Sequence, residues 1–242
     1  MTARPVAIIQ ARLGSSRLPG KMLMELDGAP VLAHVVRAAQ GCPHLAAVVV
    51  ATTDLPEDDA LAAAAVGLGA GLYRGSAQDV LARIAAAAAA FDADPVVRLT
   101  GDNPLVTSEV ITAVLARFAR GDVDYVGNCN PPSYPDGLEV EVVSRAALEV
   151  AHREARDPGS REHVTVFLCR HPERFRSANI PAPPALRRPD VRLTLDTPED
   201  LAWLREACRA VPPRPAQRPI EALIALWDAR RVASAPSRPA PQ

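Results

Sequence analysis

Short apolar runs alternate with longer segments of helical period through the first half of the chain. Residues 5–10, 47–52, 71–74 and 95–100 read as strands, each followed by a helical segment, at 31–40, 57–68, 78–91 and 108–120. Such alternation predicts parallel strands joined by right-handed crossovers. The unbroken apolar character of Val48–Val50 and Val96–Val97 predicts strands covered by helices on both faces. The second half reads differently. Short strands at 124–127 and 138–143, helices at 145–156 and 161–170, and a strand at 175–180 predict a partly antiparallel insertion. A core strand at 191–195 then returns, followed by a helix at 198–209 that Thr197, Pro198 and Asp200 equip with an N-cap, a first-turn proline and a capping box. A proline-rich connector at 212–219, a last amphipathic helix at 220–230 and an unstructured tail complete the pattern. The expected fold is α/β, with a mixed, mostly parallel central sheet, in one domain over 1–231, with 232–242 as a disordered tail.

Composition narrows the class. At 242 residues the chain can bury one substantial core. With 27 basic and 28 acidic side chains it has no global field for nucleic acid or an anionic membrane, so neither is an expected partner. The cysteines, Cys42, Cys129, Cys169 and Cys208, lie far apart with no CxxC spacing, which fits reduced thiols better than a zinc site. The first strand begins within a few residues of Met1, leaving no room for a signal peptide, and the alanine-dominated tract at 84–91 is far short of the roughly 20 residues that span a bilayer. A cytoplasmic location is expected.

The chemistry starts where the first strand ends. Val6 to Ile9 cannot face water comfortably, and the chain then runs through Ala11-Arg-Leu-Gly-Ser-Ser-Arg-Leu-Pro-Gly-Lys21. Arg12 and Arg17 offer planar forks that match phosphate oxygens, Lys21 offers a compact charge, and Gly14 and Gly20 allow close backbone approach. A basic run alone can be a solvated turn. At the carboxyl edge of a buried strand it stands where open α/β sheets bind ligands. It matches neither the Walker A pattern, since Met22 follows Gly20-Lys21, nor GxGxxG. Two further strands end in acids, Leu99-Thr-Gly-Asp102-Asn-Pro and Leu193-Thr-Leu-Asp196-Thr-Pro. Taken singly, Asp102 is a turn aspartate and Asp196 a helix-capping accessory. Taken with the cationic loop, they are the pair expected to hold magnesium, which uses one or two carboxylates plus substrate oxygens. Helix initiation explains Asp54, and first-turn charge explains Asp79.

These segments resemble the cytidylyltransferase family that includes the acylneuraminate and 3-deoxy-manno-octulosonate activating enzymes. Ala51-Thr-Thr-Asp54, Arg74-Gly-Ser76, Tyr134-Pro-Asp-Gly-Leu-Glu-Val-Glu141 and Arg161-Glu-His-Val-Thr165 bring the resemblance closest to the spore coat polysaccharide biosynthesis protein F branch. It covers about residues 5 to 205. It implies a nucleotide-diphospho-sugar transferase fold, Rossmann-like and of the GT-A type, with the insertion on the acceptor side. It implies CTP as substrate, with Arg12, Ser15, Arg17 and Lys21 around the triphosphate and Thr52 and Ser76 in the base-reading segments. Mg2+ falls to Asp102 and Asp196, and Arg12, Lys21 and Asp102 to catalysis. The activity implied is CMP transfer with release of pyrophosphate, in surface polysaccharide or glycan precursor biosynthesis. The acceptor implied is a sugar acid, a phosphosugar or a related molecule. The resemblance also allows a homodimer. Two departures mark this chain: the sugar-acid enzymes carry proline where it has Gln10, and they lack its Tyr134-Pro-Asp-Gly pattern.

The acceptor is expected at Tyr134, Asp136, Glu139, Glu141, Arg161 and His163, each with a plainer reading beside it. Glu139 and Glu141 alternate with Leu138, Val140 and Val142 as the polar face of a strand would, Asp136 suits turn chemistry, and His163 suits a helix. Arg161 is the better candidate for an acidic acceptor. Two other functions compete: a GT-A glycosyltransferase using a nucleotide sugar, and a non-catalytic nucleotide-binding protein of the same pathway. The first commonly places two acids one residue apart at its metal, where this chain has Asp102 alone, and the second has little need of both Asp102 and Asp196.

Overall fold

The computed structural model describes residues 4–213 and 217–234, the side chains of 233 and 234 excepted. Seven strands form the main sheet: β1 Val6–Gln10, β2 Ala47–Thr53, β3 Gly71–Gly75, β4 Val96–Thr100, β5 Tyr125–Gly127, β6 Glu141–Val143 and β7 Ser177–Asn179. Their order is β3-β2-β1-β4-β6-β5-β7. β3, β2, β1 and β4 run parallel, β6 is antiparallel to both β4 and β5, and β7 is parallel to β5. This is the mixed, mostly parallel sheet that the apolar pattern predicts.

Strand alternation explains why these runs are apolar throughout. In β1, Ala7 and Ile9 enter one core and Val6 and Ile8 the other, all four fully buried. The first core is covered by α1 Val31–Gln40, α2 Asp59–Gly67, α4 Ser108–Phe118, α8 Pro198–Ala210 and α9 Ile220–Ser234. The second is covered by α3 Val80–Ala90, α5 Arg145–Glu154 and α7 Val166–Arg170. After β1 the chain steps outward to β2 and β3, then crosses back to add β4 on the other side of β1. The carboxyl ends of β1 and β4 are therefore the switch point of the sheet, where open α/β folds form a crevice.

Four expectations are corrected. Residues 191–195 form no strand of the sheet. Val191, Leu193 and Leu195 are fully buried, so the alternation was real, but the segment's partners are turns. Leu193 N donates to Asp136 O at 2.6 Å, Asp136 N to Val191 O at 2.9 Å and Leu195 N to Asp102 O at 2.8 Å. The 161–170 helix is split into α6 Pro158–Glu162 and α7 by Val164, whose φ of 50° no α-helix accommodates and whose side chain is fully buried. Strand 138–143 is paired only over β6, because the Asn128 side chain takes the place of a ladder neighbour, donating to Leu138 O at 2.9 Å and accepting from Val140 N at 2.8 Å. Finally, α9 runs through Ser234, past the start expected for the tail; 214–216 of the connector and 235–242 lie outside the described residues.

Candidate active site

The loop after β1 is fixed from beneath by an acid that the sequence reading did not single out. Asp58, fully buried, accepts from Leu13 N at 2.7 Å and Thr53 N at 3.2 Å and from the Thr53 hydroxyl. Leu18, 7% exposed, anchors the loop's far end in the core. Lys21 then opens a short 3-10 turn over Lys21–Leu23, and its side chain turns inward.

Opposite it, β4 ends in Thr100-Gly101-Asp102. A Cβ at Gly101 would stand 2.8 Å from Met22 Sδ and 3.0 Å from Ala11 Cβ, so any side chain here must displace Met22 and crowd Ala11 before the turn can lie against the loop. Gly101 N donates to Gln10 O at 2.9 Å, which sets Asp102 beside the end of β1. Residues 191–195 bring the second acid. Asp196 sits just before α8, and Asp200 holds that junction: it accepts from Asp196 N and Thr197 N at 2.9 Å each and completes the capping box with Thr197. Arg192 ties the same corner, donating to Asp136 at 2.7 Å, Asp196 at 2.8 Å and Asp200 at 2.9 Å.

The cation and both acids meet. Lys21 Nζ donates to Asp102 Oδ2 at 2.7 Å, to Leu195 O at 2.7 Å and to Asp196 Oδ1 at 3.0 Å, and Arg17 lies 2.9 Å from Asp196 Oδ1. Burial alone would raise the Asp196 carboxyl, but bonds from Lys21 and Arg192 and the field of Arg17 outweigh it and hold it below the ordinary carboxylate range. Among the described residues no group of three or more acids, histidines or cysteines is placed to hold a metal. A divalent ion at this point would find at most these two carboxylates, a donor set of the kind magnesium accepts.

These residues line a cleft of about 780 Å³. Of the positions singled out in the sequence it brings together Arg12, Ser15, Arg17, Lys21, Asp102, Asp136, Glu139, Glu141, His163 and Asp196. Thr52, Ser76, Tyr134 and Arg161 are not among its lining residues. Thr52 is fully buried in β2, and its hydroxyl has no partner. Ser76 spends its hydroxyl on Asp79 N, at 3.0 Å. Tyr134 is buried in the first core. Arg161 pairs with Asp79 and donates to His152 O at 2.7 Å, so it is no free cation for an acidic acceptor.

Glu139 and Glu141, read beside the acceptor role as the polar face of a strand, are both engaged in hydrogen bonds within the cleft wall. Glu141 is 7% exposed; it accepts from Tyr125 OH at 2.7 Å and also binds Arg98 and the Thr165 hydroxyl. Glu139 accepts from Gly137 N at 2.9 Å and Asn103 Nδ2 at 2.8 Å, and burial, only partly offset by the Gly137 amide, pushes its carboxyl up to about 7. Burial likewise raises Asp136, against the pull of Arg192.

Three arginines escaped the sequence reading. Arg98 and Arg83 line the cleft, and Arg192 organises its edge. Arg98 donates to Gln10 Oε1 at 2.8 Å and 3.1 Å, which gives this glutamine a structural task. The signal was present: each is a charge inside an otherwise apolar run, Val96-Val-Arg98-Leu, Val80-Leu-Ala-Arg83-Ile and Val191-Arg192-Leu.

Fold and cleft together define a class: a Rossmann-like nucleotidyltransferase, with its ligand crevice at the β1/β4 switch point. A solved cytidylyltransferase from Leptospira borgpetersenii serovar Hardjo-bovis superposes with a TM-score of 0.88 at 26% identity, over 98% of this chain and 99% of that one. The cytidylyltransferase family model matches residues 6–219, and the chain belongs to that family. It is 36% identical over 219 residues to the spore coat polysaccharide biosynthesis protein SpsF of Bacillus subtilis, a match spanning 88% of each chain. It is also 36% identical over 177 residues to a 3-deoxy-manno-octulosonate cytidylyltransferase of Anaeromyxobacter dehalogenans, covering 66% of this chain and 71% of that one.

Proposed function

We propose that the protein transfers CMP from CTP to a hydroxyl-bearing acceptor and releases pyrophosphate, in the making of a polysaccharide or glycan precursor. The observation that carries this reading is the single ammonium of Lys21 bonding both Asp102 and Asp196 inside the cleft. The family and the SpsF and 3-deoxy-manno-octulosonate relatives support the nucleotide and the reaction class.

In the reaction the acceptor oxygen forms a bond to the α-phosphorus while the bond from that phosphorus to the bridging oxygen breaks, the bonding pair leaving with pyrophosphate, and the acceptor hydroxyl releases its proton to solvent water. Little covalent work falls to the protein, so positioning and charge carry the rate. Arg12, Ser15 and Arg17 grip the triphosphate, and Lys21 and Arg12 neutralise charge growing on the departing pyrophosphate. The Asp102 and Asp196 pair fits magnesium by its chemistry: two anionic oxygen ligands side by side, beside a loop built for phosphates. When bound, the ion supplies positive charge at the phosphate oxygens. Asp136, Glu139 and His163 face the acceptor, and Glu141 holds Arg98 and Thr165 in the cleft wall. The enzyme works as one domain on small cytoplasmic substrates.

A screen of four ribonucleoside triphosphates against sugar acids, phosphosugars and phosphonates, read as pyrophosphate release with and without magnesium, tests the reading. CTP-dependent release that chelation abolishes is expected. Release from no nucleotide with any acceptor, or turnover unaffected by chelation, overturns it.

A further inference from the structure

Arg83 stands near the start of α3, on the face that carries Val80, Leu81 and Ile84 into the core, and is 2% exposed. Its stem passes over Gly75, where a Cβ would meet Arg83 Cγ at 3.4 Å. Its guanidinium donates from NH1 to the Ser76 carbonyl, and Nε is buried without a partner. Among the described residues no carboxylate lies within ion-pair distance of it, although a buried cation is expensive unless paired. Arg12 donates to the neighbouring Ala77 carbonyl at 3.2 Å, so two guanidinia sit side by side on one turn. Burial and then the field of Arg12 press Arg83 below its ordinary pKa, with Asp58, Asp54 and Asp79 offsetting only part. Arg83 lines the same cleft as Arg12 and Lys21. A side chain kept only for packing at this depth would be apolar or paired; this one is left short of acceptors where a ligand enters.

We propose that Arg83 is a nucleotide-binding residue whose guanidinium donates to an oxygen acceptor of the nucleoside triphosphate, a phosphate oxygen or the ring carbonyl of the pyrimidine. The assignment rests on reading the cleft as a CTP site. An oxygen placed at the cleft side of the guanidinium would give Arg83 an acceptor beyond Ser76 O, and a phosphate oxygen would also relieve its repulsion from Arg12.

The test titrates CTP and inorganic tripolyphosphate, with magnesium, into wild type, Arg83→Met and Arg83→Lys, each first shown by circular dichroism to be folded. Arg83→Met is expected to weaken CTP by at least about tenfold, the scale of one charge-assisted hydrogen bond. Equal weakening of tripolyphosphate assigns the oxygen to phosphate, and unchanged tripolyphosphate assigns it to the ring carbonyl. A folded Arg83→Met that binds CTP as wild type does overturns the proposal. Should Arg83→Met not fold, Arg83→Lys decides by the same criterion, because it keeps the charge and loses the fork. In wild type the Arg83 Nε–H nuclear resonance is expected to shift on saturation with CTP and to slow its exchange with water, and an unchanged resonance counts against the proposal. Wild type that binds no CTP sinks the nucleotidyltransferase reading and this proposal together, whereas wild type that binds CTP alongside an unaffected Arg83→Met sinks only this one.

Discussion

Lys21 donates to the main-chain carbonyl of Leu195 at 2.7 Å, across 174 positions of sequence. That bond and its neighbours to Asp102 and Asp196 join the loop after β1, the turn after β4 and the junction before α8 at one nitrogen. The consequence is that the chemistry depends on three separately folded turns keeping register, and each can be disturbed alone.

Asp102→Asn removes one negative charge from this point while keeping the side-chain volume. Turnover is expected to fall by about 100-fold or more, on the order of 3 kcal/mol in the transition state. Pyrophosphate release at saturating CTP measures it, and full turnover in the variant would remove Asp102 from the machinery.

Asp200 acts on Asp196 from behind, through two amides and Arg192. Asp200→Ala is expected to lower stability by about 1–2 kcal/mol through the lost helix cap. Urea unfolding measures that loss. Asp200→Asn keeps more of the cap but loses the ionic hold on Arg192, so it should recover stability more than activity.

Gly137 has φ of 106°, and a Cβ there would stand 2.5 Å from both Leu193 C and Thr194 N. Backbone meets backbone, so no side chain can swing aside. Gly137→Ala should therefore force residues 191–195 off the Asp136 turn, costing about 3 kcal/mol or more and carrying Asp196 away from Lys21. Denaturant unfolding and pyrophosphate release should fall together; wild-type behaviour in both would mean the contact yields easily.

Glu139 has a folded-state pKa of about 7, raised by burial above its ordinary value. Below the unfolded-state value both states bind the proton, and there is no penalty. As pH rises from about 4.5 to 7 the unfolded chain ionises first, so folding stability is lost across that window, by roughly 3 kcal/mol at most. Glu139→Gln should remove this component, so that the difference in stability between variant and wild type grows over that window and is flat above it. Thermal unfolding at stepped pH checks it; parallel curves would mean that Glu139 titrates normally.

Much of the fold was present in local pattern. β1 and β2 carry unbroken apolar runs, and β4 one interrupted by Arg98, because both of their faces are covered, and the capping box at Thr197 and Asp200 is chemistry within four residues. The cationic loop was equally legible, since Arg12, Arg17 and Lys21 lie on one turn directly after a buried strand. Alternating burial at 191–195 was read rightly as buried and wrongly as sheet, because period-2 burial arises wherever an extended chain lies against a core, whatever its hydrogen-bond partner.

The sequence by itself determined the alternating strands and helices of the first half and the turn that carries the phosphate-matching charges, because those properties depend on neighbours a few residues away. Only the tertiary structure decided that Lys21 meets Asp102 and Asp196, that Arg161 is spent on Asp79, and that Arg83 is buried with donors to spare. The physical reason is range: a side chain's charge is fixed by its type, whereas its partner is fixed by which strand ends the sheet order brings to one edge.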